Sequence, residues 1–153
     1  MYLARGRSFP NMDIVLFVCV ENTFRSVLSE ALFNADAPLG WRAESAGVQA
    51  AKAINSVVVD LLEEVGIPLG PKTPRTATPE LIARATRVVT FGCLDSCPIG
   101  AKDKAEDWPI PGATGKSMDQ LRGIRDELQR RVKALASRLP RSAEASKARV
   151  QKA

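Results

Sequence analysis

Short hydrophobic runs alternate along the chain with stretches in which apolar residues recur every three or four positions. The first run, at residues 14–18, is continuous and rich in β-branched residues, which is typical of a strand buried on both faces of a parallel sheet. Shorter runs at residues 41–46 and 88–91 predict a second and a third strand. A brief fourth strand is expected near Trp108, inside a loop over residues 98–116 that is rich in Pro, Gly and Lys.

Helical patterns separate these strands. A first helix is predicted from about Arg25. A second helix follows the capping residue Asn55 and ends at Gly66, and Thr78 before a proline starts a third. The inward faces of the first two helices are predicted to be Val27, Leu28, Ala31 and Leu32 in one, and Val58, Leu61, Leu62 and Val65 in the other.

The last helix is the longest. Ser117 and Gln120 form a capping-box pair, and the apolar residues behind it keep a spacing of three and four as far as Leu139. Strands that alternate with helices predict a layered α/β fold with a parallel sheet. In such a fold, ligands bind at the carboxyl ends of the strands.

Length and charge indicate how the chain is organised. A chain of 153 residues with 45% hydrophobic residues suits one domain. Residues 1–11 carry two of the five net positive charges and the tail over residues 140–153 carries the other three, which leaves residues 12–139 without net charge. We therefore expect a single domain over residues 12–139, preceded by a leader that is disordered or an artefact of the assigned start, and followed by a basic tail.

Several classes of function are excluded by composition. A folded body without net charge and with few aromatic residues has no basic face for nucleic acid. No apolar stretch approaches the ~20 residues that span a bilayer, and the first residues lack the apolar segment of a signal peptide, so we expect a cytoplasmic protein that does not bind membranes. The absence of histidine removes Cys-His and Ser-His-Asp catalysis.

The segment between the first strand and the first helix carries the candidate chemistry. It reads Cys-Val-Glu-Asn-Thr-Phe-Arg-Ser over residues 19–26. This spacing lets the chain wrap one tetrahedral oxyanion, because successive backbone N–H groups can point inward at the positive end of the following helix. The predicted anion-binding residues are Val20, Glu21, Asn22, Thr23, Phe24, Arg25 and Ser26.

Cys19 is the candidate nucleophile of this loop. The positive field that binds an anion also favours the reactive thiolate form. Arg25 adds a planar fork for two oxygens, Ser26 can donate its hydroxyl to the sulfur, and Asn22 can fix the loop through its side-chain amide. The alternative interpretation is an inert buried thiol beside a surface arginine, and the strand-loop-helix context argues against it.

On these residues the chain resembles the low-molecular-weight protein tyrosine phosphatase superfamily and, within it, the thiol-dependent arsenate reductases. The likeness covers roughly residues 12–139. Further motifs that carry it are Glu-Ser-Ala-Gly at 44–47, Thr-Pro-Glu-Leu-Ile at 78–82, Val-Val-Thr-Phe-Gly-Cys at 88–93, Cys-Pro at 97–98, Asp-Trp at 107–108 and the segment 122–128. The resemblance implies a three-layer fold in which a four-stranded parallel sheet is flanked by helices, with the Cys19 loop as the oxyanion site.

Two features favour the reductase branch. Phosphatases of this family usually carry a second cysteine directly before the arginine, and here that position is Phe24. Reductases need thiols outside the loop, and Cys93 and Cys97 are placed as in that branch. By resemblance, Cys19 attacks arsenate, Cys93 attacks the Cys19 sulfur and releases arsenite, and Cys97 moves the disulfide to Cys93–Cys97. A thioredoxin-like protein then reduces that disulfide, with no bound cofactor.

Other interpretations stay open. Cys93 and Cys97 could be ordinary buried thiols, or zinc ligands that fall short of the usual four, so no metal site is expected. A phosphatase that hydrolyses phosphate monoesters through a Cys19 phosphocysteine is the alternative function, and a non-catalytic oxyanion-binding or redox-sensing module is a third. The aspartic acid that serves this family as general acid is replaced by Gly112, which leaves Asp103, Asp107 or solvent as the proton source.

Overall fold

A four-stranded parallel sheet in the order β2-β1-β3-β4 forms the middle layer of the fold. The computed structural model describes residues 12–92 and 102–140. The strands are β1 Asp13–Cys19, β2 Trp41–Gly47, β3 Arg87–Thr90 and β4 Ala105–Asp107. The helices are α1 Arg25–Asn34, α2 Val57–Glu63, α3 Pro79–Arg84 and α4 Met118–Arg138. The predicted three-layer α/β fold with four parallel strands is therefore confirmed.

β1 is the central strand of the sheet, which explains its unbroken apolar sequence. It pairs in parallel with β2 on one side and with β3 on the other, and all of its residues after Asp13 are buried. The register places Cys19 beside Gly47 of β2 and Val18 beside Thr90 of β3. The carboxyl ends of three strands therefore meet at one edge of the sheet, where the fold rule expects a ligand.

The two faces of the sheet are covered unequally. The larger core lies on the side of α1, α2 and α4, and it holds most of the aromatic residues. Its centre is Phe17, whose ring centroid lies 5.9–6.3 Å from those of Phe33, Phe91 and Trp108. The smaller core lies under α3 and consists of Leu16, Val18, Ala46, Ile82, Ala85 and Val88.

The ends of the helices follow the predicted caps, with small shifts. Thr78 Oγ1 accepts a hydrogen bond from the N–H of Leu81 at 3.1 Å, and Ser117 and Gln120 form the predicted capping box. α2 begins at Val57, whose N–H donates to Asn55 Oδ1 at 3.1 Å. The chain leaves α2 through Gly66, a residue with a φ of 79° that glycine adopts without a steric penalty.

Some of the predictions fall outside the described residues. The leader over residues 1–11, the two cysteines Cys93 and Cys97, and the tail beyond residue 140 belong to this group. Within the described ranges, no helix combines the length and the hydrophobicity needed to cross a membrane.

Candidate active site

Cys19 lies at the carboxyl end of β1, where the chain turns through residues 20–24 into α1. The residue is 3% exposed and lines a cavity of about 220 Å³. Two backbone hydrogen bonds tie this turn to the segment after β2, because the N–H of Val48 donates to the Cys19 carbonyl at 3.0 Å and that of Gln49 to the Val20 carbonyl at 2.7 Å. The thiol is thus held at the base of a concave, polar-rimmed site.

A chain of buried hydrogen bonds points at the sulfur. Ser26 Oγ lies 2.9 Å from Cys19 Sγ, and Asn22 Nδ2 donates to the same Ser26 oxygen at 2.8 Å. Because the amide of Asn22 supplies that donor, the hydroxyl proton of Ser26 is available for the sulfur. The Asn22 amide therefore orients the Ser26 hydroxyl beside the sulfur.

The loop itself is held by two close backbone contacts. Asn22 is fully buried with a φ of 58°, and its Oδ1 accepts the N–H of Arg75 at 2.9 Å, so both ends of its amide are engaged. A Cβ at Gly47 would lie 2.8 Å from backbone atoms of Val20, Glu21 and Asn22. Only glycine at position 47 therefore lets the loop pack this closely on the end of β2.

Arg25 connects the loop to the far side of the site. Its Nη1 donates to the carbonyl oxygen of Phe91 at 3.1 Å and to that of Ile110 at 2.9 Å. With both Nη1 hydrogens so used, the edge formed by Nε–H and Nη2–H₂ is left for a two-oxygen contact. A Cβ at Gly112 would lie 4.0 Å from both Nε and Nη2 of Arg25, so position 112 faces this edge.

Among the described residues, the wall opposite the loop has no carboxylic acid. It is formed by the small residues Gly112, Ala113 and Thr114. Within residues 12–92 and 102–140, the cavity is lined by Cys19, Val20, Glu21, Thr23, Phe24, Arg25, Asn55, Gly112, Ala113 and Thr114. Asp103 and Asp107, the two aspartates considered as proton donors, are not part of this lining.

A family model matches the part of the chain that contains this site. The model of the low molecular weight phosphotyrosine protein phosphatase matches residues 14–145, which include the whole site. The chain belongs to this family. Membership explains why an anion loop, a buried thiol and an arginine fork occur together at the end of the first strand.

The solved structures that are similar to this chain include arsenate reductases and a phosphatase. An arsenate reductase from Archaeoglobus fulgidus is 35% identical, with a TM-score of 0.66, and the match covers 80% of this chain and 98% of that one. A thioredoxin-dependent arsenate reductase from Corynebacterium glutamicum is 30% identical, with a TM-score of 0.70 and coverages of 86% and 64%. An arginine phosphatase from Geobacillus stearothermophilus is 29% identical, with a TM-score of 0.72 and coverages of 82% and 91%.

Thr114, Asn55 and Arg75 were not predicted as parts of this phosphatase-family site, and Thr114 lines its cavity. Asn55 joins the cavity because its N–H donates to the Thr23 carbonyl at 3.0 Å. Arg75 supports the loop from outside, since its Nε donates to the Ser45 carbonyl at 3.0 Å and its Nη2 to Glu44 Oε1 at 2.8 Å. Arg75 lies in a polar stretch without periodicity, so no pattern marks it.

Glu44 anchors this outer support electrostatically. Its side chain is 12% exposed and forms ion pairs with Arg42, Arg75 and Arg84. Burial alone raises the pKa of the Glu44 carboxyl, but hydrogen bonds and charge attraction from Arg42 and Arg75 together outweigh it and hold the pKa below its usual value. The carboxylate therefore stays charged while it orients Arg75.

The described residues hold one cysteine, Cys19, because Cys93 and Cys97 lie outside them. The chain reaches the first of these directly after Gly92. Within residues 12–92 and 102–140, no group of three or more cysteine and acidic side chains could hold a metal ion.

Proposed function

We propose that this protein reduces arsenate to arsenite, with Cys19 as the nucleophile and thiols as the source of electrons. One observation carries the proposal: a buried thiol beside the Ser26 hydroxyl lines a cavity of about 220 Å³ whose opposite wall has glycine in place of an acid. That combination supports attack on a tetrahedral oxyanion more than protonation of a poor leaving group. The similarity to two solved arsenate reductases agrees with it.

In the first step the oxyanion binds in the loop over residues 20–26. Backbone N–H groups surround its oxygens, and the free edge of Arg25 contacts two of them. The Cys19 thiolate then attacks arsenic and forms a sulfur–arsenic(V) bond. One oxygen leaves as water after it takes protons from solvent, so this step does not need a carboxylic acid at position 112.

The second step moves two electrons. Cys93 attacks the sulfur of Cys19, the sulfur–arsenic bond breaks, and its electron pair stays on arsenic, which leaves as arsenite in the +3 state. The two sulfurs have then become a Cys19–Cys93 disulfide. Cys97 attacks Cys93 and frees the Cys19 thiolate, and a thioredoxin-like dithiol reduces the resulting Cys93–Cys97 disulfide.

The relay needs a reducing environment between turnovers. Thiols are kept reduced in the cytoplasm by thioredoxin and glutathione systems, so we propose a cytoplasmic protein whose partners are the oxyanion and a thioredoxin-like reductant. The domain organisation that we propose with it is a catalytic unit over residues 12–139 with a separate basic tail.

The test is an arsenate-dependent assay of NADPH consumption, coupled through thioredoxin and thioredoxin reductase. Cys93→Ser and Cys97→Ser are each expected to stop multiple turnovers, while hydrolysis of p-nitrophenyl phosphate continues because it needs Cys19 alone. In Cys97→Ser, a Cys19–Cys93 disulfide is expected by mass spectrometry after arsenate treatment. Absence of that bridge, or equal losses of both activities, would contradict the relay.

A phosphatase is the second candidate. Two parts of the site do not depend on Cys93 or Cys97: the contact between Cys19 and Ser26, and the edge of Arg25 that is left for an anion. One similar structure is an arginine phosphatase. General acids contribute roughly 10²–10⁴-fold to such reactions, so without one the enzyme should be slow on esters with poor leaving groups. Fast hydrolysis of these esters, combined with no arsenate turnover, would favour the phosphatase.

A further inference from the structure

Asp107 is the last residue of β4 and binds the end of the neighbouring strand. Its Oδ1 accepts the hydroxyl of Thr90 at 2.5 Å and the backbone N–H of Gly92 at 2.7 Å. Thr90 is completely buried, so one of the two donors is itself fixed by the core. The carboxylate thus joins β4 to the residues at which β3 ends.

The hydrogen bond to Gly92 fixes an unusual backbone position. Gly92 has a φ of 83°, in the left-handed region that favours glycine. The N–H of Trp108 donates to the Thr90 carbonyl at 2.8 Å, which holds the same two segments together one residue further on. The chain direction on leaving β3 is therefore set by a side chain of β4, and the residue that follows Gly92 is Cys93.

The fixed segment is also tied to the oxyanion site. The carbonyl of Phe91, directly before Gly92, accepts a hydrogen bond from Arg25 Nη1 at 3.1 Å. The second Nη1 hydrogen bond, to the Ile110 carbonyl, comes from a different loop. Loss of the Asp107 contacts would therefore free the backbone at Gly92 while Arg25 keeps its bond to the Ile110 carbonyl.

We propose that Asp107 is a positioning residue for the thiol relay, holding the backbone at Gly92 so that Cys93 begins from a fixed point beside the Cys19 site. The inference rests on the proposed function, because it needs Cys93 as the second thiol. It assigns Asp107 a role other than proton donation: the residue does not line the cavity, and its Oδ1 already accepts two donors. Displacement of a reacting group by about 1 Å costs on the order of 10²-fold in rate.

The test separates the second step from the first. In a Cys97→Ser background, formation of the Cys19–Cys93 disulfide after arsenate addition is followed by rapid quench and mass spectrometry. Asp107→Ala is expected to slow it by at least about tenfold, equivalent to ~1.4 kcal/mol. Hydrolysis of p-nitrophenyl phosphate by the same preparation should change by less than about twofold, since Arg25 keeps its Ile110 contact.

Two further variants complete the design. Asp107→Asn retains an oxygen that accepts both donors, so it should keep most of the disulfide rate. Asp103→Ala is the matched control, because Asp103 is an exposed aspartate in the 3₁₀ turn before β4, and it should behave like the parent protein. If Asp107→Ala does not fold, Thr90→Val removes the hydroxyl that fixes the Asp107 carboxylate but leaves its bond to the Gly92 N–H, so it should show a selective loss in the same direction but smaller.

The outcomes distinguish the inference from the function on which it rests. An equal loss of disulfide formation and ester hydrolysis in Asp107→Ala would make Asp107 a general structural residue and overturn the inference. An unchanged disulfide rate would overturn it as well. If Cys93→Ser with Asp107 intact still supports repeated arsenate turnover, the thiol relay itself is wrong, whatever Asp107 does.

Discussion

The chain over residues 20–25 and the loop over residues 112–114 line the Cys19 cavity as two walls, and they differ in what their side chains offer. Behind the first wall, Asn22 and Ser26 are buried and hydrogen-bonded in a chain that ends at the sulfur. On the second wall, the cavity is lined by Gly112, Ala113 and Thr114, none of which titrates near neutral pH.

This difference separates two tasks that a phosphatase must combine. Binding of the oxyanion and attack by sulfur need the first wall alone, whereas protonation of a leaving alkoxide needs an acid on the second. An oxygen of arsenate leaves as water with help from solvent. The asymmetry therefore favours a substrate whose leaving group does not depend on the protein for its proton.

The largest effect is expected from Cys19→Ser. Both arsenate reduction and p-nitrophenyl phosphate hydrolysis should fall on the order of 10⁴-fold or more, because one thiolate serves both reactions. Phosphate binding, measured by calorimetry, should persist, since the N–H groups and Arg25 remain. Retention of either activity near the parent level would disprove Cys19 as the nucleophile.

The next effect concerns the support of the first wall. In Gly47→Ala the new methyl group would lie 2.8 Å from backbone atoms of three loop residues, so the loop must move. Both activities should fall by roughly 10–100-fold, as expected for a displacement of about 1 Å, and phosphate affinity should weaken with them.

Gly70→Ala is the matched control for that substitution. A Cβ at Gly70 meets nothing within 4 Å, and Gly70 is not among the glycines with positive φ. Both activities and phosphate affinity should be unchanged. Parent-level rates in Gly47→Ala would show that the loop tolerates displacement. That result would contradict the claim that the first wall must be held in a fixed geometry.

A smaller gain is expected when an acid is added to the second wall. Gly112→Asp, combined with Ala113→Pro to restrict the loop, adds a carboxyl-bearing side chain whose Cβ would lie in ordinary van der Waals contact with Arg25. A bound dianion repels the carboxylate and favours its protonated form. Hydrolysis of phenyl phosphate should rise about tenfold, or ~1.4 kcal/mol of transition-state stabilisation.

Nitrophenyl esters serve as the internal control, because their acidic leaving group departs without a proton and should gain much less. Arsenate reduction should change little. If the doubly substituted protein is folded and phenyl phosphate hydrolysis does not rise, position 112 is not equivalent to the family's acid.

The smallest effect is expected at the outer support. The pKa of Glu44 is lower in the folded protein than its unfolded pKa of 4.5. Its carboxylate therefore stabilises the fold fully at pH values above the unfolded pKa, and this stabilisation is lost as the pH falls through the folded pKa. Glu44→Gln should reduce the free energy of unfolding by roughly 1–2 kcal/mol at pH 7. The deficit should shrink below pH 4, as measured by urea denaturation at both pH values.

Glu64→Gln provides the comparison for that experiment. Hydrogen bonds from Arg122 and Arg125 lower the pKa of Glu64, and this residue joins α2 to α4 away from the anion loop. It should show a pH dependence of the same sign with no change in phosphate affinity. Glu44→Gln should weaken that affinity slightly, because Glu44 holds Arg75 and the Arg75 N–H holds Asn22.

Local patterns were enough to predict most of the fold. The buried run that forms β1, the Thr78 cap and the Ser117 capping box are each specified by neighbours in sequence. The fourth strand was placed only approximately, since three residues that are each partly buried leave a weak pattern, and β4 ends just before Trp108. The start of α2 lies one residue later than the Asn55 cap predicts: Asn55 Oδ1 accepts the N–H of Val57, but Ser56 is the residue directly before the helix.

In the candidate site, too, the residues with a local sequence pattern were predicted and those with only tertiary contacts were not. Residues 19–26 could be identified because their spacing is contiguous and follows a predicted strand. Arg75 and Asp107 could not be assigned their contacts, since these depend on partners 53 residues away in one case and 15–17 in the other. A side chain that acts through tertiary hydrogen bonds leaves no periodic trace in its own neighbourhood.

The two carbonyl contacts of Arg25 also have a consequence for the time at which the site forms. The partners of its Nη1 lie 66 and 85 residues further along the chain. During synthesis from the amino terminus, Cys19 and Arg25 leave the ribosome long before Phe91 and Ile110 exist. The anion loop can therefore acquire its final arginine geometry only after most of the domain has been made.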